Sequence, residues 1–233
     1  MPLMRSFTPF RANAPKFYTQ LPIGDPLNPH LRVAVFDGGL PTAPDLSGWV
    51  STGDAGDVGP IPDQNGLKHG LAVTSALLFG PIEDGTPLRR PVTTVEHFRV
   101  ADNTTNDGPN YYRILNRIVE VLVTEHYDYI NVSLGPDVSM EDNIIYAWTG
   151  KLDDVLSHGK TLAFFAAGNR GDNPRPEDRI GPPADAINGI GVGSCDCSDG
   201  DWNRSAGIDP SGCGHGSRRG LPSSPRRGPS PSR

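Results

Sequence analysis

A series of short apolar runs, each ending in small or polar residues, most constrains the fold of this 233-residue chain. The first run is "LRVAVFDGG" (31–39), and the later ones are "VEHFRVA" (95–101), "YDYINVSLG" (127–135), "TLAFFAAGN" (161–169) and "AINGIGVGS" (186–194). Continuous apolar runs of this length are typical of parallel strands that are buried on both faces. The runs therefore predict a parallel sheet whose strands open into loops at their C-terminal ends.

Amphipathic helices are predicted between these runs. Residues 109–126 place apolar side chains along one side, namely Ile114, Leu115, Ile118, Val119, Val121 and Leu122. Residues 141–158 do the same with Ile144, Ile145, Trp148, Leu152, Val155 and Leu156. After a loop-rich stretch at 40–68, "HGLAVTSALLFG" (69–80) predicts a helix that His69 opens, with Leu71, Ala72, Ser75, Ala76 and Phe79 at helical spacing. Strands alternating with helices predict an α/β fold with a doubly wound, mainly parallel sheet, and place the functional site along its carboxyl edge.

Three regions are predicted: an irregular lead-in at 1–30, the α/β domain at 31–206 and a tail at 207–233. Gly, Pro, Ser and Arg make up 22 of the 27 tail residues, so disorder is expected there. One interpretation of the tail is out-of-frame translation of GC-rich DNA. It is favoured because the composition changes abruptly and the domain has not closed. The alternative is a genuine basic arm that touches RNA or a membrane.

Charge and composition limit the partners. The net charge of −6 combines a tail of +4 with a body of −10, and an acidic body disfavours nucleic acid as the main partner. No apolar run is long enough to span a membrane, and no secretory signal is recognised. A cytoplasmic location is the default expectation, and secretion is not excluded. Metal binding is not expected, because the spacing of the three cysteines, Cys195, Cys197 and Cys213, resembles no standard zinc site.

Three polar residues are candidates for chemistry at the sheet edge. Asp37 ends the first run, His69 opens a helix, and Asn169 follows "AAG". An acid, an imidazole and an amide at one edge suggest acyl transfer, with the acid orienting the base and the amide donating to an oxyanion. Each residue also has a plainer interpretation: turn chemistry for Asp37 and Asn169, and a capping or core role for His69. The pattern alone leaves both interpretations open.

The same segments resemble the subtilisin-like serine peptidases (subtilases). "VAVFDGGLPTAPDL" is similar to their aspartate segment, and "NGLKHGLAVTSAL" is similar to their His-Gly-Thr-x-Val-Ala segment. "YINVSLG" (129–135) resembles the strand that borders the peptide-binding cleft, and "TLAFFAAGNRG" (161–171) resembles the segment with the oxyanion-hole asparagine. "VGSCDCSDGDWNRSA" (192–206) resembles the stretch before the family's late strands. The motifs follow the family's order. This order argues against the interpretation of the chain as an α/β binding protein that is not a peptidase.

The resemblance implies roles for individual residues. Asp37 would be the triad acid, His69 the general base and Asn169 the oxyanion-hole donor. One wall of the specificity pocket would comprise Ser133, Leu134 and Gly135, and the facing wall Ala166, Ala167 and Gly168. The implied reaction is hydrolysis of peptide bonds in a protein or peptide substrate. The family is often supported by calcium, but no ligand set is recognisable, so no cofactor is expected.

The sequence departs from the family at three places. Gly38 stands where a Ser or Thr usually follows the aspartate, and Leu71 stands where Thr usually follows His-Gly. The third departure is the nucleophile, because no Gly-Thr-Ser-x-Ala-x-Pro segment occurs. Ser217, in "GHGS" (214–217), lies in the tail without a strand or helix to hold it. The expected protein is a serine endopeptidase domain whose reading frame is lost near residue 206 and which is inactive as written. The rival is a pseudo-peptidase that binds extended peptides through 133–135.

Overall fold

The fold was obtained as a computed structural model, which describes residues 20–42, 46, 48–80, 86–101, 108–169 and 179–193. Six strands lie in this part of the chain: β1 (Val33–Asp37), β2 (Val50–Asp54), β3 (Val95–Arg99), β4 (Tyr129–Val132), β5 (Leu162–Ala166) and β6 (Gly189–Val192). The helices are α1 (Gln64–Phe79), α2 (Gly108–Thr124) and α3 (Ala147–Leu156). The lead-in up to residue 19, residues 194–206 with Cys195 and Cys197, and the whole predicted tail with Cys213 and Ser217 lie outside the described residues.

The strands form one sheet in the order β2-β3-β1-β4-β5-β6, and every pair is parallel. After β3 the chain crosses to the other side of β1 to form β4, so the direction of winding reverses at β1. Loops leaving neighbouring strands in opposite directions open a crevice at such a switch point. The predicted α/β class with a parallel sheet is confirmed.

Apolar side chains cover the two faces of the sheet in two clusters. The larger one joins α2 and α3 to one face and includes Phe36, Ile118, Trp148, Leu152 and Phe165. The smaller one, with Val33, Val35, Leu78 and Val95, packs α1 against the other face. Both clusters contain alternate residues of β1, which is therefore buried on both sides. Helices on both faces confirm the doubly wound arrangement.

The edge strand β2 was not predicted, because residues 40–68 were expected to be loop. Its sequence, Val-Ser-Thr-Gly-Asp, contains a single apolar residue and is largely exposed. A strand at the edge of a sheet can be half solvated, so it needs no apolar run. The periodicity of apolar residues cannot detect such a strand.

Helix α1 begins five residues earlier than predicted, so the expectation that His69 opens it was wrong. Asp63 caps the helix by accepting a hydrogen bond from the Gly66 backbone N–H at 3.0 Å. The buried side of the helix also differs from the predicted one. It comprises Gly66, Gly70, Thr74, Leu78 and Phe79, so Phe79 is buried as predicted, whereas Leu71, Ala72, Ser75 and Ala76 are not.

The prediction for α2 was accurate, and that for α3 was accurate in part. Ile114, Leu115, Ile118 and Val121 are buried on the predicted side of α2. Trp148, Leu152 and Leu156 are buried on α3. However, Ile144 and Ile145 precede α3 and are 48% and 80% exposed, so their predicted place in the core was wrong.

Candidate active site

Asp37 and His69 meet at the carboxyl edge of the sheet, where the winding reverses. Asp37 is the last residue of the central strand β1, and His69 lies in the second turn of α1. The imidazole Nδ1 of His69 lies 2.9 Å from both carboxylate oxygens of Asp37. Since an ionised carboxylate can only accept, Nδ1 must carry the proton in this contact, and Nε2 is then the basic atom of the ring.

The environment of the two groups differs sharply. The Asp37 side chain is fully buried, whereas that of His69 is 21% exposed, so the imidazole links the buried acid to solvent. Burial raises the pKa of the Asp37 carboxyl group, and the hydrogen bond from His69 opposes that rise. The Gly38 backbone N–H also donates to Asp37 Oδ1 at 2.6 Å, which favours the charged form. An acid held in this way can orient an imidazole and stabilise its protonated form.

Glycines bring α1 close enough for this contact. A Cβ on Gly38 would lie 2.5 Å from the Cα of Gly66, and a Cβ on Gly70 would lie 2.1 Å from the carbonyl oxygen of Gly39. Real Cβ atoms essentially never approach other atoms so closely. The helix backbone therefore rests directly on the loop after β1, and this seats His69 beside Asp37.

The other predicted site residues lie at the C-terminal ends of β4 and β5, the next two strands along the sheet. Asn169 is exposed and follows Gly168, whose φ of 103° makes the turn out of β5. The Ala167 N–H donates to the Val192 carbonyl and its own carbonyl accepts from the Gly181 N–H, both at 2.9 Å. The topology thus brings Asp37, His69 and the segment 166–169 to one edge of the sheet.

The segment 133–135 leaves β4 between these two positions. The Ser133 hydroxyl donates to the Asn131 side-chain oxygen at 2.8 Å, and the Leu134 side chain is buried in the larger core cluster. Gly135 is buried as well. Leu134 therefore contributes backbone, not its side chain, to any wall of a pocket at this edge.

A second charged pair at the same edge was not predicted from the sequence. Arg99, paired in register with Asp37 across β3 and β1, is 7% exposed. It makes two hydrogen bonds of 2.7 Å to the Asp54 carboxylate, and these lower the pKa of Asp54. The stem of Arg99 packs over Gly39, whose φ of 100° turns the chain towards α1. The one signal in the sequence was an arginine at the end of an apolar strand.

The described part of the chain contains no group of three or more His, Cys, Asp or Glu side chains that could hold a metal ion. No helix in the same part is long and apolar enough to cross a membrane.

The parallel sheet with helices on both faces, and the contact between buried Asp37 and partly exposed His69 at its switch point, define an α/β protein with an acid–imidazole pair at the carboxyl edge of its sheet. Within that class the chain belongs to the subtilase family, whose sequence pattern it matches over residues 29–213.

Solved structures support the same fold. The chain is similar to the protease domain of PatA, with 20% identity and a TM-score of 0.51, over 74% of this chain and 60% of that one. It is also similar to the prenylagaramide maturation protease PagA, with 21% identity and a TM-score of 0.50, over 72% of this chain and 55% of that one. The chain therefore spans about three fifths of the length of these relatives. No curated protein matches it in sequence.

Proposed function

We propose that this chain carries the acid and the base of a subtilisin-like serine endopeptidase site. The contact between His69 and Asp37 carries the proposal, because it joins a buried acid to a partly exposed base within a chain of the subtilase family. In this role His69 Nε2 removes a proton from a serine hydroxyl, and Asp37 stabilises the imidazolium that forms. Asn169 donates to the oxyanion of the tetrahedral intermediate.

The substrate class that we propose is an extended polypeptide. The segments 133–135 and 166–168 lie at the C-terminal ends of the neighbouring strands β4 and β5, at the edge that carries the pair. In this proposal the segment 133–135 binds a peptide backbone by main-chain hydrogen bonds, and the small residues at 166–168 leave room for a substrate side chain. The similar structures are described as proteases, which agrees with this substrate class.

We further propose that the 233-residue chain does not hydrolyse peptides by itself. Its sequence contains no Gly-Thr-Ser-x-Ala segment, so His69 has no family nucleophile to activate. The loss of the nucleophile in subtilisin lowers kcat about 10⁶-fold, whereas the loss of one oxyanion donor costs only about 10²–10³-fold. The absence of the nucleophile, rather than the departures from the family pattern at Gly38 and Leu71, is therefore expected to abolish activity.

Covalent labelling by a fluorophosphonate tests the proposal. The 233-residue chain should not be labelled, and His69→Ala should behave in the same way. Stoichiometric labelling of the chain that disappears in His69→Ala would overturn the proposed inactivity. The DNA beyond codon 206 gives an independent test: a different frame that encodes Gly-Thr-Ser-x-Ala supports a disrupted peptidase. If no frame encodes that segment, the peptide-binding pseudo-peptidase is favoured.

A further inference from the structure

A second histidine lies behind the proposed active site and belongs to none of the segments that resemble the subtilases. His97 lies in the middle of β3, in register with Val35 of β1 and Thr52 of β2. It is 1% exposed and is among the largest fully buried side chains of the described residues. A polar ring at such a position requires a physical reason, because an aliphatic side chain could fill the same space without the cost of desolvation.

The ring contacts α1 at two points. The Thr74 hydroxyl lies 2.9 Å from His97 Nδ1, and Thr74 is itself fully buried. One turn earlier, a Cβ on Gly70 would lie 2.9 Å from His97 Cε1 and 3.1 Å from Nε2. Gly70 directly follows His69 in the sequence, so the ring lies against the backbone turn that carries the proposed base.

The protonation state of His97 fits a fixed, neutral anchor. Burial, together with a smaller effect of the nearby His69, lowers the pKa of His97 to about 4. A neutral ring adds no second positive charge when His69 is protonated. Nε2 is buried without a hydrogen-bond partner among the described residues, so the ring makes its single hydrogen bond to α1. The hydrogen-bonding capacity of His97 is therefore directed at the helix rather than at the sheet.

We propose that His97 is a positioning residue for His69. Its hydrogen bond to Thr74 and its contact with Gly70 fix the turn of α1 that holds the His69 imidazole against the Asp37 carboxylate. The inference rests on the proposed role of His69 as the general base. It differs from that role because it assigns the position of the base to a residue on a neighbouring strand.

The test uses the 233-residue chain and does not require proteolytic activity. The measured signal is the low-field proton resonance of His69 Nδ1–H in ¹⁵N-labelled protein, which reports the hydrogen bond to Asp37. Thr74→Val removes the hydroxyl from the helix side, and His97→Phe removes the imidazole from the strand side. Both variants should lose this resonance or shift it upfield. Thr74→Ser keeps the hydroxyl and should retain it.

Thr149→Val is the matched control for a loss of stability. Thr149 is another buried threonine, but its hydrogen bond goes to Asp185, on the segment between β5 and β6. This variant should lower the melting temperature and leave the His69 resonance unchanged. The inference is overturned if Thr74→Val and His97→Phe leave the resonance where it is in the unchanged chain. If the resonance is absent from the unchanged chain, the Asp37–His69 pair itself is contradicted, and the proposed function fails with it.

Discussion

Replacement of Gly38 is expected to disrupt the seat of α1, even when the new residue is the one that the resemblance to the subtilases leads one to expect. Gly38 has no positive φ, so an L-residue can adopt its backbone conformation. The obstacle is contact: a Cβ would lie 2.5, 2.7 and 2.8 Å from the Cα, carbonyl carbon and carbonyl oxygen of Gly66. All three atoms are backbone, so no side-chain rotation can relieve the overlap.

The size of the effect follows from these distances. To reach an ordinary contact of 3.4 Å, the loop and the helix must separate by about 0.9 Å. Overpacking of this kind typically costs about 1–3 kcal/mol. For a domain of about 150–250 residues this corresponds to a fall in melting temperature of about 2–12 °C. The same displacement along the hydrogen bond would take the 2.9 Å contacts of His69 with Asp37 out of bonding range.

Thermal unfolding and the His69 Nδ1–H resonance together test this expectation. Gly38→Ala and Gly38→Ser should both lower the melting temperature and should both weaken or shift the resonance. Gly48→Ala is the matched control, because a Cβ there meets nothing within 4 Å and Gly48 has no positive φ. The reasoning is refuted if Gly38→Ser unfolds at the temperature of the unchanged chain and keeps its resonance. In that case the serine typical of the family would fit, and the close approach of Gly66 would not be a real constraint.

Three further predictions concern buried ionisable side chains. Asp37→Asn should raise the melting temperature at neutral pH. Folding raises the pKa of this buried acid, so its ionised form lowers the stability of the folded state. The gain should shrink as the pH falls through the raised pKa, because Asp37 itself is then neutral. Melting temperatures of this variant equal to those of the unchanged chain, at neutral and at acidic pH, would contradict the prediction. The contribution of His97 to stability should fall by up to about 3 kcal/mol as the pH is lowered from 6.5 to about 4, because only the unfolded His97 binds a proton there. Protonation of Asp37 acts in the opposite sense, so the His97 contribution is measured as the difference between the unchanged chain and a His97 variant. Two residues after His97 on β3, Arg99 pairs in register with Asp37 of β1 and Asp54 of β2, and His69 of α1 acts on the ring directly. The variant His97→Asn should therefore flatten the pH dependence of a denaturation series if His97 is its cause. Arg117→Lys should destabilise by about 1–3 kcal/mol in urea titrations, since one ammonium cannot replace bonds to the Val100 carbonyl and to both the carboxylate and the carbonyl of Asp57; a loss within error would show that these bonds are dispensable.

The central part of the fold could be predicted from the sequence because its elements bury large apolar side chains. The strands β1, β4 and β5 and the helix α2 lie in the core, so their patterns directly record their burial. The strand β2 lies at an edge and carries polar residues, so no apolar pattern marks it. The pattern also misplaced the buried side of α1, because Gly66, Gly70 and Thr74 fill their contacts with backbone and small groups rather than with apolar bulk.

The candidate site could be predicted from the sequence only in part. Asp37 was identified because it ends a buried strand, and its position at the same predicted edge as His69 suggested their pairing, which the family resemblance then supported. His97 could not be identified in this way, because a single histidine in a strand carries no signature of the helix that will contact it. Arg99 and Asp54 come from β3 and β2, and their pairing depends on a strand that the sequence does not reveal.

Gly38, which stands where a Ser or Thr usually follows the aspartate, has a structural role in the folded chain. A Ser at position 38 would offer Asp37 a hydrogen bond but would collide with Gly66. With Gly38, the carboxylate receives the backbone N–H of the same residue at 2.6 Å, and α1 approaches closely enough for His69 to reach both carboxylate oxygens. The glycine at position 38 and the glycines on α1 are thus one feature, because close packing of backbone on backbone replaces a side-chain hydrogen bond in holding the pair. A substitution on either side of this contact should therefore weaken the hydrogen bond of His69 to Asp37 more than it disturbs the packing of the sheet.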